Sequence, residues 1–473
     1  MGENKKVIVF RATRGDTVGA ARYLAESLGL PSAEDTLELL PTGDRSTASE
    51  ELRLVLQRGV GFHNSDLDRD ERAALEVTFR DPTSPLRVLV ATTTLAMGVN
   101  TPAEAVVIAG LSHPGGVPYS VAEYKNMAGR AGRPGHADAG EAFIIATAET
   151  NPGMAWGHYV KGQPEGITSH FLAESTDPQT LALRCLVALG ATVQESDLVA
   201  LLENSFAMWL RKEAGSGGWN VVALRQDIQS LISGSLLDKE PDGHLTLTAL
   251  GRYAGESGIE VRSVTRLASA MRFAPATLTD SDVVTLAQVT CELDSLYIPA
   301  NKKSHKEQQR WPMALRELGV DGGVARSLHV GGGDPFVRTK RAVACLLLMS
   351  SRPMSEIERI LLQHTRDRAA AGHIRQVASR TRDVIEAVFQ VASFHGRTVS
   401  EEATSDDLGL RLEIGLPAEL VRLAQYVGTS LNRGQYLGLH EAGIREPPQL
   451  AEAGVDRLSP IVGMEMSEYL ARL

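Results

Sequence analysis

The sequence predicts an α/β domain followed by mostly α-helical domains. Over the first 150 residues, short apolar runs alternate with helical stretches, which is typical of a parallel sheet with crossover helices. After Asn151 the apolar residues follow the 3.6-residue period of helices. With 473 residues, 43% hydrophobic and 22% charged, the chain is long enough for about three or four domains. These values exclude a disordered, collagenous or coiled-coil protein.

Five apolar runs of the first domain are predicted to be strands. The first comprises residues 7–10 and is followed by a loop and a helix over residues 17–28. The other predicted strands are residues 59–63, 87–92, 105–109 and 142–146, and a charged helix is predicted over residues 69–80.

Cysteine usage and hydropathy predict the compartment. The three cysteines are far apart, with no Cys-x-x-Cys and no neighbouring His pair, so neither a disulfide framework nor a zinc site is indicated. The N-terminus has no signal-peptide pattern, and the longest apolar run, residues 342–349, is too short to cross a bilayer. We therefore expect a cytoplasmic protein without a metal site of its own and without membrane contact.

The charge is unevenly distributed along the chain. The net charge of −10 argues at first against a protein that binds nucleic acid. Residues 301–400, however, carry 17 Lys and Arg against 9 Asp and Glu, a local charge of +8. A basic helical region of this kind is what contact with phosphate requires.

One small hairpin interrupts the helical part. Residues 245–248 form a predicted strand after the turn signal Pro241-Asp242-Gly243, and helices precede and follow it. Helices combined with such a hairpin are typical of a winged helix. The polar residues 396–407 are interpreted as a linker to a last helical segment, about residues 410–473.

Residues 124–135 concentrate side chains that packing does not require. Arg130 and Arg133 are three residues apart, and each follows a glycine. Glycine lets the backbone pass close to a ligand, and the planar guanidinium groups fit phosphate oxygens. The string therefore indicates a phosphate-binding turn.

This string resembles motif VI of superfamily 2 helicases, in the form used by the Ski-like family. Residues 87–103 resemble motif V, residues 61–67 resemble the segment before it, and residues 7–14 resemble motif IV. The four segments occur in the family's order. The chain thus resembles the C-terminal half of such a helicase, of the archaeal repair type, without its first RecA-like domain.

The resemblance implies four domains. Residues 1–160 would be the second RecA-like domain and residues 161–260 a winged helix. Residues 261–396 would be a helical ratchet bundle, and residues 397–473 a helix-hairpin-helix-like domain.

The resemblance also implies site residues. Arg130 and Arg133 would neutralise charge on the γ-phosphoryl group of ATP, with Arg133 as the arginine finger. The other expected nucleotide-binding residues are Gly98, Asn100, Asn126 and Gly129. The expected nucleic-acid-binding residues are Arg11, Thr13, Arg14, His63, Thr92 and Thr93 in the first domain, Arg375 and Arg382 on the ratchet helix, and Arg433 near the C-terminus.

Several positions depart from the family's pattern. Asn126 replaces a glutamine of motif VI, and its shorter side chain weakens the expected hydrogen bond to nucleotide or water. Asn64 and Asp66 replace a histidine and a glycine, and a carboxylate beside a phosphate track would be unfavourable. Ser430 and Asn432 stand where a nucleic-acid-binding hairpin has glycines.

ATP hydrolysis in this family needs a phosphate-binding Gly-x-x-x-x-Gly-Lys-Ser/Thr loop and an Asp-Glu box for Mg²⁺, and the sequence has neither. The first hypothesis is a split helicase, inactive alone, whose ATP and Mg²⁺ are bound mainly by a partner chain with those motifs. Its substrate would be single-stranded or forked nucleic acid, DNA favoured over RNA, in repair or defence. The alternative is a non-catalytic nucleic-acid-binding or regulatory module. The sequence also fits a piece of a longer enzyme.

Overall fold

The structure is a computed structural model of the chain. It describes residues 5–96, 103–132, 139–145, 151–166, 177–190, 192–213, 215, 221–400 and 404–472. The following account concerns these residues.

Ten strands occur in the described residues. They are β1 (Val7–Phe10), β2 (Val60–His63), β3 (Val88–Ala91), β4 (Ala105–Ile108), β5 (Glu141–Ile144), β6 (Val193–Gln194), β7 (Leu237–Lys239), β8 (His244–Leu247), β9 (Thr277–Leu278) and β10 (Thr398–Val399).

Helices make up most of the remainder. They are α1 (Arg14–Leu28), α2 (Glu34–Leu39), α3 (Thr47–Leu56), α4 (Arg69–Arg80), α5 (Val121–Ala128), α6 (Pro152–Ala155), α7 (Pro178–Leu189), α8 (Glu195–Glu203), α9 (Phe206–Glu213), α10 (Val221–Ser233), α11 (Ala249–Glu256), α12 (Val261–Ala270), α13 (Asp280–Ala287), α14 (His305–Glu317), α15 (Gly322–Ser327), α16 (Pro335–Leu348), α17 (Met354–Leu362), α18 (Ala371–Phe394), α19 (Ser405–Ile414), α20 (Val421–Val427), α21 (Arg433–Glu441), α22 (Pro448–Val462) and α23 (Met464–Leu470).

The chain forms two compact units. The first contains residues 1–166, 351–373 and 426–473, and the second contains residues 167–350 and 374–425. The boundary therefore falls inside the segment, residues 397–473, that was expected to be one domain. The four-domain division remains a prediction.

The first unit is built on a parallel five-stranded sheet in the order β2-β3-β1-β4-β5. The five predicted strands are confirmed to within two residues at each end. All four residues of β2 and of β3 are buried, as expected for strands covered on both faces. Phe10, Phe62 and Phe79 are among the largest side chains of this core.

Side-chain caps define where the helices around this sheet begin. Ser46, Asp68 and Ser120 each open a helix with a reciprocal capping box, which satisfies backbone N–H groups that the helix leaves unpaired. The charged helix predicted over residues 69–80 is α4, confirmed at both ends. Helices α2 and α3, between β1 and β2, were not predicted.

The second unit contains a small antiparallel sheet in the order β6-β8-β7. The predicted hairpin strand is β8, one residue earlier than expected. Helices α7, α10 and α11 pack around this sheet, and the strand pair β9 and β10 is parallel. No helix in the described residues combines the length and the apolar character needed to cross a membrane.

Helix α16 changes the interpretation of the basic region. Arg338, Lys340 and Arg341 all lie on it and are almost completely buried. The guanidinium of Arg338 donates to the carbonyl oxygens of Leu328 and Val330, at 3.0 and 2.7 Å. Three of the basic residues counted in this region therefore stabilise the interior of the unit and are not available to a phosphate.

Candidate nucleotide and nucleic-acid site

Three predicted site residues lie at the carboxyl ends of neighbouring strands of the parallel sheet. The Arg11 amide donates to the carbonyl of Ala91 at 2.9 Å, and the Thr92 amide donates to the carbonyl of His63 at 3.3 Å. Because the carboxyl ends of parallel strands meet at one edge of a sheet, Arg11, His63 and Thr92 lie together there. Ligands of open α/β sheets bind at this edge.

The loop after β1 is held by its own polar side chains. Arg11 donates to the carbonyl oxygen of Ala109 at 3.3 Å and lies 3.8 Å from the Asp16 carboxylate. The Thr13 hydroxyl accepts the amide of Asp16 and thereby caps α1. Arg11 keeps about a third of its side chain exposed, at 34%, so it can still reach a ligand.

His63 is buried and paired. Its Nε2 lies 3.0 Å from Oε1 of Glu76, and this hydrogen bond holds the pKa of the Glu76 carboxyl below its usual range. The ring is only 5% exposed. His63 therefore supports the end of β2, and an opening at this edge would be needed before it could contact a strand.

Thr92 and Thr93 begin the turn that follows β3. Thr92 is largely buried, whereas Thr93 is partly exposed and begins a short 3₁₀ helix. Of the two threonines, Thr93 is therefore better placed for a phosphate.

Arg130, one of the two expected catalytic arginines, is buried. It directly follows Gly129 at the end of α5, is 3% exposed, and donates from Nη2 to the carbonyl oxygen of Ala96. Its own carbonyl accepts the amide of Ala103 at 3.1 Å. In this structure Arg130 therefore joins the turn after α5 to the turn after β3. Its guanidinium was expected to reach a bound phosphate at the surface, but it is buried.

The expected nucleotide-binding residues of α5 are exposed. Asn126 projects from the last turn of the helix, and Gly129 ends it. A Cβ at Gly129 would lie 3.0 Å from the carbonyl oxygen of Lys125, so a side chain fits only if the turn shifts. Gly98, Asn100 and Arg133 lie outside the described residues. No group of three or more His, Cys, Asp or Glu side chains suited to a metal occurs in the described part of the chain.

Glu165 was missed as a site residue. Its carboxylate accepts the amides of Val121 at 2.7 Å and Ala122 at 3.2 Å, the first two residues of α5. These backbone hydrogen bonds lower the pKa of the Glu165 carboxyl. The carboxylate therefore holds the helix that leads to the arginine turn, although 44 residues separate Glu165 from Val121 and no local sequence signal connects them.

Asn64 and Asp66, two departures from the family pattern, are also structural. Asn64 Nδ2 donates to the Thr17 hydroxyl at 2.7 Å, and its Oδ1 accepts the amide of Asp66 at 2.9 Å. Oδ1 of Asp66 accepts the amide of Gly372 at 2.9 Å and lies 3.4 Å from Nη1 of Arg14. Because Asp66 is 4% exposed, its carboxylate is not beside an open phosphate track.

Arg375 and Arg382 of α18, which were expected to bind nucleic acid, are not freely exposed cations. Arg382 lies 3.3 Å from Glu413 and 3.3 Å from Asp383, so two carboxylates neutralise its guanidinium. Arg375 is partly buried. A strand would have to displace carboxylates to bind Arg382.

Arg433 is not available for nucleic acid in this structure. It is 8% exposed, its Nη1 pairs with Oδ2 of Asp44 at 2.7 Å, and its Nη2 donates to the carbonyl of Arg352 at 2.8 Å. Asn432 caps α21 and donates to Asp70 at 2.8 Å. This segment is therefore attached to the rest of the first unit by buried polar contacts.

Comparison with known proteins identifies the first domain. Residues 2–135 match the family model of the helicase conserved C-terminal domain. The chain is 38% identical to ATP-dependent DNA helicase Hel308 of Pyrobaculum calidifontis over 212 residues, 42% of this chain and 29% of the relative.

Two further relatives of the same name match most of the chain. The protein of Methanocella arvoryzae is 25% identical over 478 residues, 98% of this chain and 61% of the relative. The protein of Aeropyrum pernix is 25% identical over 446 residues, 90% of this chain and 55% of the relative. The chain spans less than two thirds of the length of each of these relatives.

Proposed function

The chain carries a helicase conserved C-terminal domain and is similar to a Hel308 DNA helicase over 98% of its length, and we propose that it is the C-terminal component of an ATP-dependent DNA helicase. It supplies the arginine finger and strand-binding surfaces to an ATPase site. The phosphate-binding loop and Asp-Glu box, with most contacts to ATP and Mg²⁺, come from a first RecA-like domain on a partner chain. This chain alone would not hydrolyse ATP.

The position of the arginine turn beside the sheet edge supports this proposal most directly. Arg11, His63 and Thr92 lie at the carboxyl ends of β1, β2 and β3. The turn after α5 bonds to Ala103, just before the amino end of β4, and its Arg130 donates to the carbonyl of Ala96 in the turn after β3. The residues proposed for the strand and those proposed for the nucleotide are therefore connected through Arg130.

The two arginines have different proposed roles. Arg130, bonded to the carbonyl of Ala96, positions the turn. Arg133, three residues later, would reach the γ-phosphoryl group of ATP held by the partner and stabilise the charge that develops in the transition state. The exposed Asn126 side chain would meet the nucleotide or a water beside it.

We propose the family's names for the helical segments as well. Helices α7 to α11 with β6 to β8 have the helix and hairpin order of a winged helix. The long helix α18, 24 residues, occupies the ratchet position. The helices of residues 397–473, α19 to α23, would form the helix-hairpin-helix-like domain.

Reconstitution with a chain that carries the phosphate-binding loop tests the proposal. We expect ATPase activity that single-stranded DNA stimulates and that neither chain shows alone. Arg133→Ala should lower this activity by roughly 10³-fold or more, without changing thermal stability. Arg130→Ala should lower both activity and stability, because it leaves the buried Ala96 carbonyl unpaired.

Arg58→Ala is the matched control for these variants, because Arg58 is an exposed arginine far from the arginine turn in sequence. It should retain full activity. Undiminished ATPase activity of the Arg133→Ala complex would refute the arginine-finger role. If no partner restores strand-stimulated ATPase activity, the non-catalytic module is the better description. In the structure that alternative rests mainly on Asn126, because Asn64 and Asp66 are accounted for by internal hydrogen bonds.

A further inference from the structure

The turn before α14 and the helix itself carry a strongly basic surface that no motif of the family accounts for. Residues 302–317 contain five basic side chains and two acidic side chains, Glu307 and Glu317. By sequence alone, Lys306-Glu307 looks like part of an ordinary mixed-charge helix face. The fold separates the two charges.

Glu307 points into the interior. Its carboxylate pairs with Lys340, accepts Nε1–H of Trp311 at 3.3 Å, and accepts the amide of Asn301 at 2.7 Å. Both Glu307 and Lys340 have no exposed surface, and the Lys340 ammonium lies 4.8 Å from the centre of the Trp311 ring. The negative charge of Glu307 is therefore neutralised inside the second unit.

The basic side chains remain on the outside. Lys303 precedes the capping residue Ser304, and Lys306 and Arg310 are one helical turn apart on the outer face of α14. Lys302 pairs with Asp334 at 2.6 Å, and Arg310 lies over the Trp311 ring.

Three of these side chains have no counter-charge. Lys303, Lys306 and Arg316 are exposed, and none of them forms an ion pair with any residue that the structure describes. Lys303 and Lys306, near the amino end of α14, are therefore exposed cations that can attract a polyanion, whereas Arg316 lies beside the exposed Glu317 at the other end of the helix.

The charges on α18 have a different environment. Arg382 and Arg380 both pair with Asp383, and Arg382 also pairs with Glu413. An incoming phosphate would compete with these carboxylates at Arg382, whereas at Lys303 and Lys306 it would displace only water and counterions. Within the second unit, α14 therefore offers the more favourable surface for phosphate.

We propose that Lys303 and Lys306 contact the phosphodiester backbone of single-stranded DNA. The inference rests on the proposed function, which makes such a strand the substrate. Ammonium groups on flexible stems bind phosphate as point charges without regard to base sequence. The positive end of the 13-residue helix α14 adds to the attraction at the same place. The surface would serve to hold the strand independently of its sequence.

Binding of a fluorescein-labelled single-stranded oligonucleotide of mixed sequence to the full chain, without ATP or partner, tests the inference. The double variant Lys303→Glu/Lys306→Glu should bind about tenfold or more weakly at moderate salt. The slope of log Kd against log salt should decrease in magnitude by about 1.4, corresponding to two lost phosphate contacts on a single strand. Glutamate in the first turn of a helix is favourable, so α14 should remain folded.

The double variant Arg58→Glu/Arg445→Glu is the matched control, because both arginines are exposed and the net charge changes by the same amount. It should keep the wild-type slope. Lys303→Gln/Lys306→Gln should lose affinity to a smaller extent than the charge reversal.

Four results would overturn the inference. They are no binding of the oligonucleotide by the wild-type chain, an unchanged slope in the Lys303→Glu/Lys306→Glu variant, an equal loss of affinity in the control variant, and a loss of affinity for phosphatidylserine vesicles without a loss of affinity for the oligonucleotide. None of these measurements involves ATP hydrolysis. Failure of the reconstituted ATPase would therefore refute the proposed function separately.

Discussion

Asp44 and Arg433 form a buried ion pair, with Nη1 and Oδ2 2.7 Å apart, although 389 positions separate them in the sequence. Their side chains are 6% and 8% exposed. The other carboxylate oxygen of Asp44 accepts the amide of Met354 at 2.7 Å, at the start of α17. Asp44 has a φ of 49°, a left-handed conformation that aspartate tolerates better than most residues. One carboxylate thus joins three distant segments of the first unit.

Arg433→Met should destabilise the first unit. Removing one partner leaves the Asp44 carboxylate buried without its counter-charge, which costs about 3–5 kcal/mol. Urea unfolding should show this as a lower midpoint, whereas affinity for single-stranded DNA should be unchanged. Arg445→Met, at an exposed arginine, is the control and should unfold like the wild type. A loss of DNA affinity at unchanged stability would instead support the strand contact expected from the sequence.

Gly372→Ala should also destabilise the first unit. A Cβ at Gly372 would lie 2.4 Å from the carbonyl oxygen of Ser65 and 2.6 Å from Oδ1 of Asp66, so the two segments must separate. Forcing a methyl group into such a contact typically costs about 1–3 kcal/mol.

Gly409→Ala, inside α19, is the matched control, because its nearest neighbour would be 3.8 Å away. There the substitution should stabilise the chain by about 0.5–1 kcal/mol, the usual difference between alanine and glycine in a helix. Equal effects of the two substitutions in urea unfolding would contradict the close packing of Gly372 on Ser65.

Glu165→Ala should release the amino end of α5. The amides of Val121 and Ala122 lose their acceptor, so their hydrogen exchange should become faster. In a reconstituted ATPase the variant should lower the turnover rate more than the affinity for ATP, because a misplaced arginine turn affects the transition state most. Glu452→Ala, at an exposed glutamate, should change neither. Unchanged exchange of both amides in Glu165→Ala would show that the carboxylate does not hold the helix.

Because of Lys6, the free energy of unfolding should depend on pH in the alkaline range. Burial lowers the pKa of its ammonium from 10.5 to about 8, while Nζ donates to the carbonyls of Thr78 and Ser84 at 3.3 and 3.4 Å. Between these two pH values the unfolded chain binds more protons than the folded one, so stability increases with pH. Relative to Lys6→Met, the wild type should therefore gain stability from about pH 8 to about pH 10.

Lys5→Met is the control for this measurement, because the Lys5 side chain is 42% exposed and pairs with Glu141 at 3.7 Å, and this variant keeps the buried Lys6. Relative to Lys6→Met, it should show the same gain in stability from about pH 8 to about pH 10 as the wild type. Parallel stability curves for the wild type and Lys6→Met would exclude a lowered pKa at Lys6.

Much of the first domain was predictable because its signals are local. The central strands β2 and β3 are short apolar runs buried on both faces, and four motif segments in a fixed order indicated which helicase domain they form. The small helices α2 and α3 were missed, since short amphipathic stretches resemble loops in composition. The interleaving of residues 351–373 and 426–473 with the first domain was also missed, because its contacts, such as Glu358 with the amide of Thr47, join positions hundreds of residues apart.

The sequence by itself determined where the strands of the α/β domain lie along the chain, the family of this domain and the positions that carry basic side chains. Only the tertiary structure decided which of those side chains reach solvent. Arg130 and Arg433 were expected to contact phosphate, and Lys340 was counted in the basic region. Each of the three is buried on a carbonyl or carboxylate supplied from elsewhere. The physical reason is that a buried cation must regain in hydrogen bonds and counter-charge what it loses in hydration. Folding brings the compensating carbonyl and carboxylate groups close to the cation, and these groups can come from any position in the sequence.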